Sequence, residues 1–190
     1  MRGGNPLPTA NKVSTGKPKV SGAVFIAPAG TTLPTDATTA LAAAFTELGY
    51  VSEDGVTNNN TPESSDIKDW GGQTVLTVED SITDEFTFTL IESLNPDVLK
   101  ARYGAAKVTV SGQDITVVAD GTKVPEAVWV IDMAMRGGAM KRIVIPNGSI
   151  SAVGEVAYRA NEAVGYPITL KALPDSSGVN HREYINLGST

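Results

Sequence analysis

The chain has 190 residues, of which 41% are hydrophobic, and it carries a net charge of −6 at pH 7. This length is sufficient for one domain with a hydrophobic core, and no apolar run approaches the length of a membrane-spanning helix. The sequence contains no cysteine, which excludes disulfides, thiolate metal sites and thiol nucleophiles. Residues 1–20 contain no apolar h-region, which argues against a secretory signal.

The charged residues are distributed unevenly along the chain. Residues 1–20 carry four basic residues and no acidic residue, whereas residues 36–97 carry thirteen acidic residues and a single lysine. Binding to nucleic acid depends on Lys and Arg side chains that displace counterions from phosphates. The acidic body therefore argues against a protein that grips nucleic acid.

The first predicted elements are an arm, a strand and a helix. Residues 1–20 are rich in Pro, Gly and polar side chains and predict an extended arm. Residues 22–30 predict a short strand. Residues 35–49 predict a helix, because Asp36 can cap its N-terminus, apolar residues recur at helical spacing and Gly49 stands at the C′ position.

Residues 51–72 predict a long loop that begins like a strand and then combines three asparagines, a proline and five acidic residues. We expect residues 58–65 to be a flexible, solvated reach. Ile67 and Trp70 are apolar residues at the far end of this reach, and we expect them to anchor it. The two glycines at residues 71–72 allow the chain to turn back.

The next stretch predicts strands and a second helix. Residues 74–93 predict two strands around a turn near residues 81–83, and the alternation of Phe86 and Phe88 with threonines gives one apolar face. Residues 94–104 predict a helix that Asn95 caps and a glycine ends.

The second half of the chain predicts a hairpin and further strands, with turns near residues 137–138, 146–148 and 165. The predicted hairpin covers residues 107–118, and the predicted strands cover residues 126–135, 139–146, 154–160, 166–174 and 183–187. Together these elements predict an all-β fold with one or two short helices, which is a β-sandwich or a partly closed barrel. The predicted organisation is the arm over residues 1–20, a single domain over residues 21–175 and a polar tail over residues 176–190.

A search for catalytic or metal-binding patterns gives no specific site. His181 is the only histidine, and its polar surroundings in sequence favour a surface histidine over a Ser-His-Asp arrangement with Ser176 or Ser177. Pairs of carboxylates such as Asp66 and Asp69 favour a solvated acidic face over an acid–base pair, because aromatic residues that line sugar clefts make up only 6% of the chain. The loop also lacks the ligand spacing of a calcium loop. We therefore predict no enzyme activity and no cofactor or metal.

Several blocks of the sequence carry a resemblance to a known family. Residues 48–55 (LGYVSEDG) and residues 66–72 (DIKDWGG) resemble the major tail tube proteins of bacteriophages with long, non-contractile tails, particularly phages of actinobacteria. Three later blocks also match, at residues 91–104, 142–151 and 164–175. The resemblance extends from about residue 23 to residue 175.

This resemblance implies a structural virion protein. Tail tube proteins form hexameric rings around a channel, and the rings stack into the conduit through which DNA is ejected. Each subunit is a β-sandwich with a flanking helix, and adjacent subunits join their sheets into an inner β-barrel. The implied partners are other copies of the chain, a tape-measure protein in the channel, tail terminator and tail-tip proteins, and double-stranded DNA that passes without specific binding. The resemblance also implies that the protein is located in the phage tail and is assembled in the host cytoplasm. It implies no membrane insertion by this chain.

The resemblance also directs attention to two sets of residues. The long loop is expected to contact neighbouring rings, through Asp54, Asn59, Glu63, Asp66, Ile67, Trp70 and Gly71. The threonine-rich face of the following strand is expected to line the channel, through Glu85, Thr87 and Thr89.

Two other functions remain open from the sequence. One is a β-sandwich binding module, such as a head decoration or a domain that recognises a glycan or a cell surface, which would need a concave aromatic site. The other is a hydrolase that uses clustered carboxylates such as Glu63, Asp66 or Asp69.

Overall fold

The computed structural model of the chain describes residues 13–18 and 23–188. The strands in this part are β1 (Gly16–Pro18), β2 (Val24–Pro28), β3 (Thr46–Glu47), β4 (Val51–Lys68), β5 (Thr74–Leu90), β6 (Val108–Ser111), β7 (Asp114–Val117), β8 (Ala127–Met135), β9 (Met140–Val153), β10 (Tyr166–Leu173) and β11 (Arg182–Asn186). The α-helix described is α1 (Pro96–Tyr103). Most of the predicted arm over residues 1–20 lies outside the described residues, apart from residues 13–18.

Nine of these strands form one antiparallel sheet in the order β3-β2-β8-β9-β10-β5-β4. Strand β1 pairs with β8 beyond the end of β2, and β11 pairs with β9 beyond the end of β10. Strands β6 and β7 form a separate hairpin. The sheet curls so that β1 and the start of β4 lie on either side of an open cleft of about 590 Å³. Because β3 and β4 do not pair with each other in the described residues, the barrel is only partly closed, and the predicted fold class is confirmed.

The core lies on the concave face of the sheet and beneath α1. Phe86, Phe88 and Leu90 of β5 are buried, as the alternation in the sequence predicts. The helix begins where Asn95 accepts a hydrogen bond from the backbone N–H of Asp97, which confirms the predicted second helix. It buries three side chains against the core, those of Val98, Leu99 and Ala101.

Strand β9 continues through the predicted turn near residues 146–148. A Cβ atom on Gly148 would lie 2.3 Å from Cδ1 of Trp129, whose indole is buried. The glycine is therefore required by the close approach of this indole and does not mark a turn. The prediction of a strand over residues 154–160 is also wrong, because the chain leaves the sheet after Val153.

The predicted helix over residues 35–49 is wrong, and a buried ion pair provides the reason. Arg142 of β9 donates two hydrogen bonds to the carboxylate of Asp132 on β8, at 2.7 and 2.8 Å, and both side chains are buried. Its remaining Nη atom donates to the backbone carbonyls of Asp36 and Thr39, at 3.0 and 2.8 Å. In a helix these carbonyls would accept from the N–H groups four residues later. The guanidinium takes that place, and residues 31–45 cover the sheet as an irregular segment.

Asp36 still organises the start of this irregular segment. Its carboxylate accepts the backbone N–H groups of Thr38 and Thr39, both at 2.6 Å. Hydrogen bonds from Thr39 and then from Thr38 hold the pKa of Asp36 well below its usual range. Asp36 thus forms the hydrogen bonds expected of a capping residue, but the prediction that it caps a helix is wrong.

The prediction of a loop over residues 51–72 is wrong as well, as is the prediction of a turn near residues 81–83. Both segments belong to the long hairpin of β4 and β5, whose register runs from Val51 opposite Leu90 to Lys68 opposite Thr74. Residues 58–65 are therefore a strand, because their backbone groups have partners along β5. Bulges interrupt the register at three places, one of them opposite Ser81 where the turn is predicted.

We expect Arg142→Met to lower the free energy of unfolding by about 3–5 kcal/mol, because it leaves the buried carboxylate of Asp132 without its guanidinium and two backbone carbonyls without a donor. Urea denaturation measures the change. Lys141→Met is the matched control on the same strand. Its ion pair with Glu183 is partly exposed, so the loss should be about 0–1 kcal/mol. Equal losses in the two variants would contradict the role assigned to Arg142.

Candidate functional site

The hairpin of β4 and β5 extends far beyond the rest of the sheet. Strand β10 pairs with β5 only from Glu85 to Leu90, so residues 74–84 pair with β4 alone. At about 3.3 Å per residue, this free part is about 35 Å long. All seven residues predicted to mediate assembly lie on this hairpin, which we call the hairpin arm (residues 51–90).

A tight turn closes the arm at its tip. The backbone N–H of Asp69 donates to the carbonyl of Gln73 at 2.8 Å, and the N–H of Gly72 donates back to the carbonyl of Asp69 at 3.0 Å. The carboxylate of Asp69 accepts the N–H of Gln73 at 2.8 Å. Gly72 has a φ of +84°, a conformation that favours glycine. Trp70 lies in this turn beside Gly71, and its side chain is fully exposed.

Apolar side chains continue from the tip along one face of the arm. Ile67 lies opposite Leu76, and Val78 follows on the same face opposite Ser65. The side chains of Ile67 and Leu76 are 51% and 55% exposed. Large apolar side chains clustered at an exposed end are typical of a surface that is covered in an assembly.

Two acidic residues of the hairpin arm form hydrogen bonds between its two strands. Glu63 accepts from the hydroxyl of Thr83 at 2.7 Å and from that of Ser81 at 3.4 Å. Asp66 accepts from the hydroxyl of Thr77 at 2.7 Å. These bonds connect β4 to β5, so the hairpin arm is a pre-formed structure. The flexible segment expected over residues 58–65 is not observed.

Two other predicted residues lie closer to the body. Asn59 lies opposite Glu85, and its side-chain oxygen accepts from the hydroxyl of Thr61 at 2.7 Å. Asp54 lies in the irregular stretch between Val51 and Val56, at the cleft beside β1. The seven predicted residues therefore spread along the whole arm and do not form one cluster.

A buried carboxylate fixes the root of the arm. Asp84 is fully buried, and its Oδ1 accepts from the side-chain amide of Asn58 at 2.8 Å. Its Oδ2 lies 2.5 Å from Nδ1 of His181, whose ring meets the edge of Phe86 with centroids 5.2 Å apart. The expectation of a surface histidine is wrong, because this ring belongs to the C-terminal segment and packs against the root of the arm, with its side chain 16% exposed.

A second ion pair holds the segment that carries this histidine. Arg182 donates to Oδ2 of Asp175 at 2.6 Å, and this hydrogen bond is the largest of the effects that lower the pKa of Asp175. Backbone N–H groups of Val179 and Ser177 also lower it. Strand β11 begins directly after His181 and pairs with β9, so the root of the arm is joined to the middle of the sheet.

The residues predicted to line a channel share one face of β5, opposite the core. Thr87 lies between Thr57 of β4 and Thr169 of β10. Glu85 lies opposite Lys171, and it accepts a hydrogen bond from the hydroxyl of Ser151 at 3.2 Å. Thr89 follows on the same face. The structure thus brings these residues together on one polar surface, which we call the threonine face.

No group of three or more His, Cys, Asp or Glu side chains that could hold a metal ion occurs in the described part of the chain. Within the same residues, no helix is long and apolar enough to cross a membrane. The features that stand out are the hairpin arm, the threonine face and the open edges of the sheet, all of which suit contact with large partners.

Comparisons with known proteins give one family. A family model described as phage tail tube protein matches residues 17–187. Among solved structures, the cryo-EM structure of the anti-feeding prophage cap (AFP tube terminating cap) is similar, with a TM-score of 0.39 and 11% sequence identity over 98% of this chain and 94% of that chain. No curated protein matches the chain. Because the family match covers most of the chain, this protein belongs to the phage tail tube protein family.

Proposed function

We propose that this structural tail protein assembles with copies of itself into stacked hexameric rings, which form the tube of a long, non-contractile phage tail and the conduit for DNA ejection. The observation that carries the proposal is the hairpin arm, whose free part is a pre-formed extension of about 35 Å that ends in an exposed tryptophan. A monomer gains nothing from such an extension. A neighbouring ring provides a surface that covers it.

The edges of the sheet supply contacts within a ring. Strand β4 has 18 residues and pairs with β5 on one side only, in the part of the chain that the structure describes. At the other end, β3 has two residues and leaves much of β2 uncovered. Unpaired strand edges are ready to pair with another chain. A contact between two different edges is heterologous, and it closes into a ring when the rotation between subunits allows it.

The threonine face is the surface that we propose for the channel wall. It is polar, with Thr87 between Thr57 of β4 and Thr169 of β10, and its lysine, Lys171, lies opposite the carboxylate of Glu85. A wall with few free cations does not attract phosphates, so duplex DNA can pass without specific binding. The same channel would hold a tape-measure protein before DNA enters, and terminator and tail-tip proteins would bind the two ends of the tube.

This function requires no catalytic group and no cofactor, because assembly uses only binding surfaces. We propose that assembly takes place in the host cytoplasm. The division into an N-terminal arm over residues 1–20, a domain over residues 21–175 and a tail over residues 176–190 stays a prediction. In this prediction the N-terminal arm and the tail add contacts between rings.

Shortening the hairpin arm should prevent stacking and leave folding intact. In the test variant, residues 62–82 are replaced by Asn-Gly, which suits a two-residue hairpin turn. The root with Asp84 and the core of β5 remain, so circular dichroism and the melting temperature should stay close to those of the full chain. Negative-stain microscopy should show tubes for the full chain and none for the variant. Tubes of the shortened chain would show that the arm does not connect rings.

A lysine on the threonine face should make assembled tubes retain DNA. We expect Thr87→Lys tubes to bind roughly tenfold more short duplex DNA than unmodified tubes at low salt, because each ring gains a set of cations that release counterions from phosphates. Co-sedimentation across a salt series measures the binding. Thr87→Gln is the control for side-chain length without charge. If the two variants bind equal amounts of DNA, Thr87 does not face the DNA path.

A further inference from the structure

An apolar groove lies on the body of the subunit, far from the hairpin arm in the order of strands. It is formed by the end of β2, helix α1 and the segment that leads into β8. Its apolar walls include Ile26, Pro28, Ala101, Ala105, Val124 and Pro125. Its volume is about 270 Å³, slightly below the range of about 300–1,000 Å³ for small-molecule pockets. The groove therefore suits a single large side chain.

Among the described residues, Trp70 is the most exposed of the large hydrophobic side chains. Its indole is fully exposed, and the hydrogen bonds that form the turn come from Asp69, Gly72 and Gln73, so the turn does not depend on the indole. Tryptophan is enriched among the residues that dominate binding energy, where it fills a desolvated pocket at the centre of an interface.

The groove cannot receive the tryptophan of its own chain without the loss of the arm. Cross-strand pairs continue up to Lys68 and Thr74, next to the turn, so the arm is extended to its end. The arm belongs to the β4 end of the sheet, and the groove belongs to the β2–β3 end. A contact between them therefore joins two copies head to tail.

The charges of the chain favour the same pairing. The hairpin arm carries nine acidic residues and one lysine, whereas the rest of the chain carries twelve acidic and fourteen basic residues. Four of these basic residues lie within residues 1–20, so the remainder carries twelve acidic and ten basic residues. Two hairpin arms therefore repel each other more strongly than a hairpin arm and a body do. At the wall of the groove, Lys100 forms an ion pair with Asp97 at 2.9 Å, and Glu126 also lines the groove. The attraction of the groove for the tip therefore comes from its apolar walls.

We propose that Trp70 seats in this groove on a second copy of the chain. The inference rests on the proposed self-assembly and names the surface that receives the tip of the arm. One indole buries at most about 250 Å², well below the roughly 800 Å² per partner of a stable interface. The contact thus fixes the position of the arm, and pairing of strand edges supplies the rest of the interface.

Cross-linking tests the contact directly, because the chain has no cysteine of its own. Gly71→Cys places a thiol beside the intact Trp70, and Ala105→Cys places one at the groove, where the residue is exposed. The two single variants are mixed under assembly conditions and oxidised. We expect the yield of disulfide dimer from this mixture to be at least about tenfold higher than the yield from a control mixture. The control mixture contains Gly71→Cys and Tyr158→Cys, because Tyr158 is 76% exposed and lies outside the groove.

A second pair of variants tests the groove without cross-linking. Ala105→Trp fills the groove from its own chain, and Ala106→Trp is the control because the adjacent, exposed Ala106 does not line the groove. We expect Ala105→Trp and Trp70→Ala to raise the protein concentration needed for tubes at least about tenfold, the size expected for the loss of a binding hot spot. Ala106→Trp should leave that concentration unchanged.

The outcomes separate this inference from the proposed function. Tubes without the specific disulfide, or equal tube formation by Ala105→Trp and Ala106→Trp, would overturn the groove contact and leave self-assembly standing. Failure of the unmodified chain to form rings or tubes, even with tail-tip proteins present, would overturn self-assembly and the contact together.

Discussion

The pairing of β4 with β5 is the constraint on which the function of this molecule depends. It converts a polar, acidic stretch into an arm whose two strands pair with each other almost to the tip. Ordering a flexible chain costs about 1–2 kcal/mol per residue. Because residues 58–65 are already ordered, that cost is met when the subunit folds and does not weaken contacts between subunits. Assembly then needs only rigid surfaces that fit each other.

The arm keeps its direction because buried polar groups hold its root. Asp84 connects Asn58 of β4 to His181 of the C-terminal segment, and β11 attaches that segment to β9. On the other half of the sheet, Arg142 holds residues 31–45 against β8 and β9. Asp84 and Arg142 are both buried with partners, since an unpaired charge in the core would be costly. They set how the irregular segments lie on the sheet.

Signals within a short stretch of sequence predict the elements that depend on contacts within that stretch. Asn95 and the glycine at residue 104 predicted α1, and alternation predicted the buried face of β5. The failures come from distant partners. No local feature of residues 35–49 indicates that the guanidinium of Arg142, more than 100 residues later, donates hydrogen bonds to two of their backbone carbonyls. Asn, Pro and Ser have low strand propensity, so residues 58–65 form a strand only because β5 lies alongside. One signal was overlooked: Asp84 occupies a core position in the alternation of β5, and a carboxylate there requires a partner.

The distribution of charge favours one direction for the proposed assembly. Most of the acid excess lies on the arm, and part of it is hydrogen bonded between the strands, as Glu63 and Asp66 are. These carboxylates stabilise the arm and at the same time make contact between two arms unfavourable. Repulsion against one kind of neighbour is as important for specificity as attraction to another. In the proposed assembly, a subunit whose arm avoids other arms and meets the less acidic body adds in one orientation, which is the requirement for a tube.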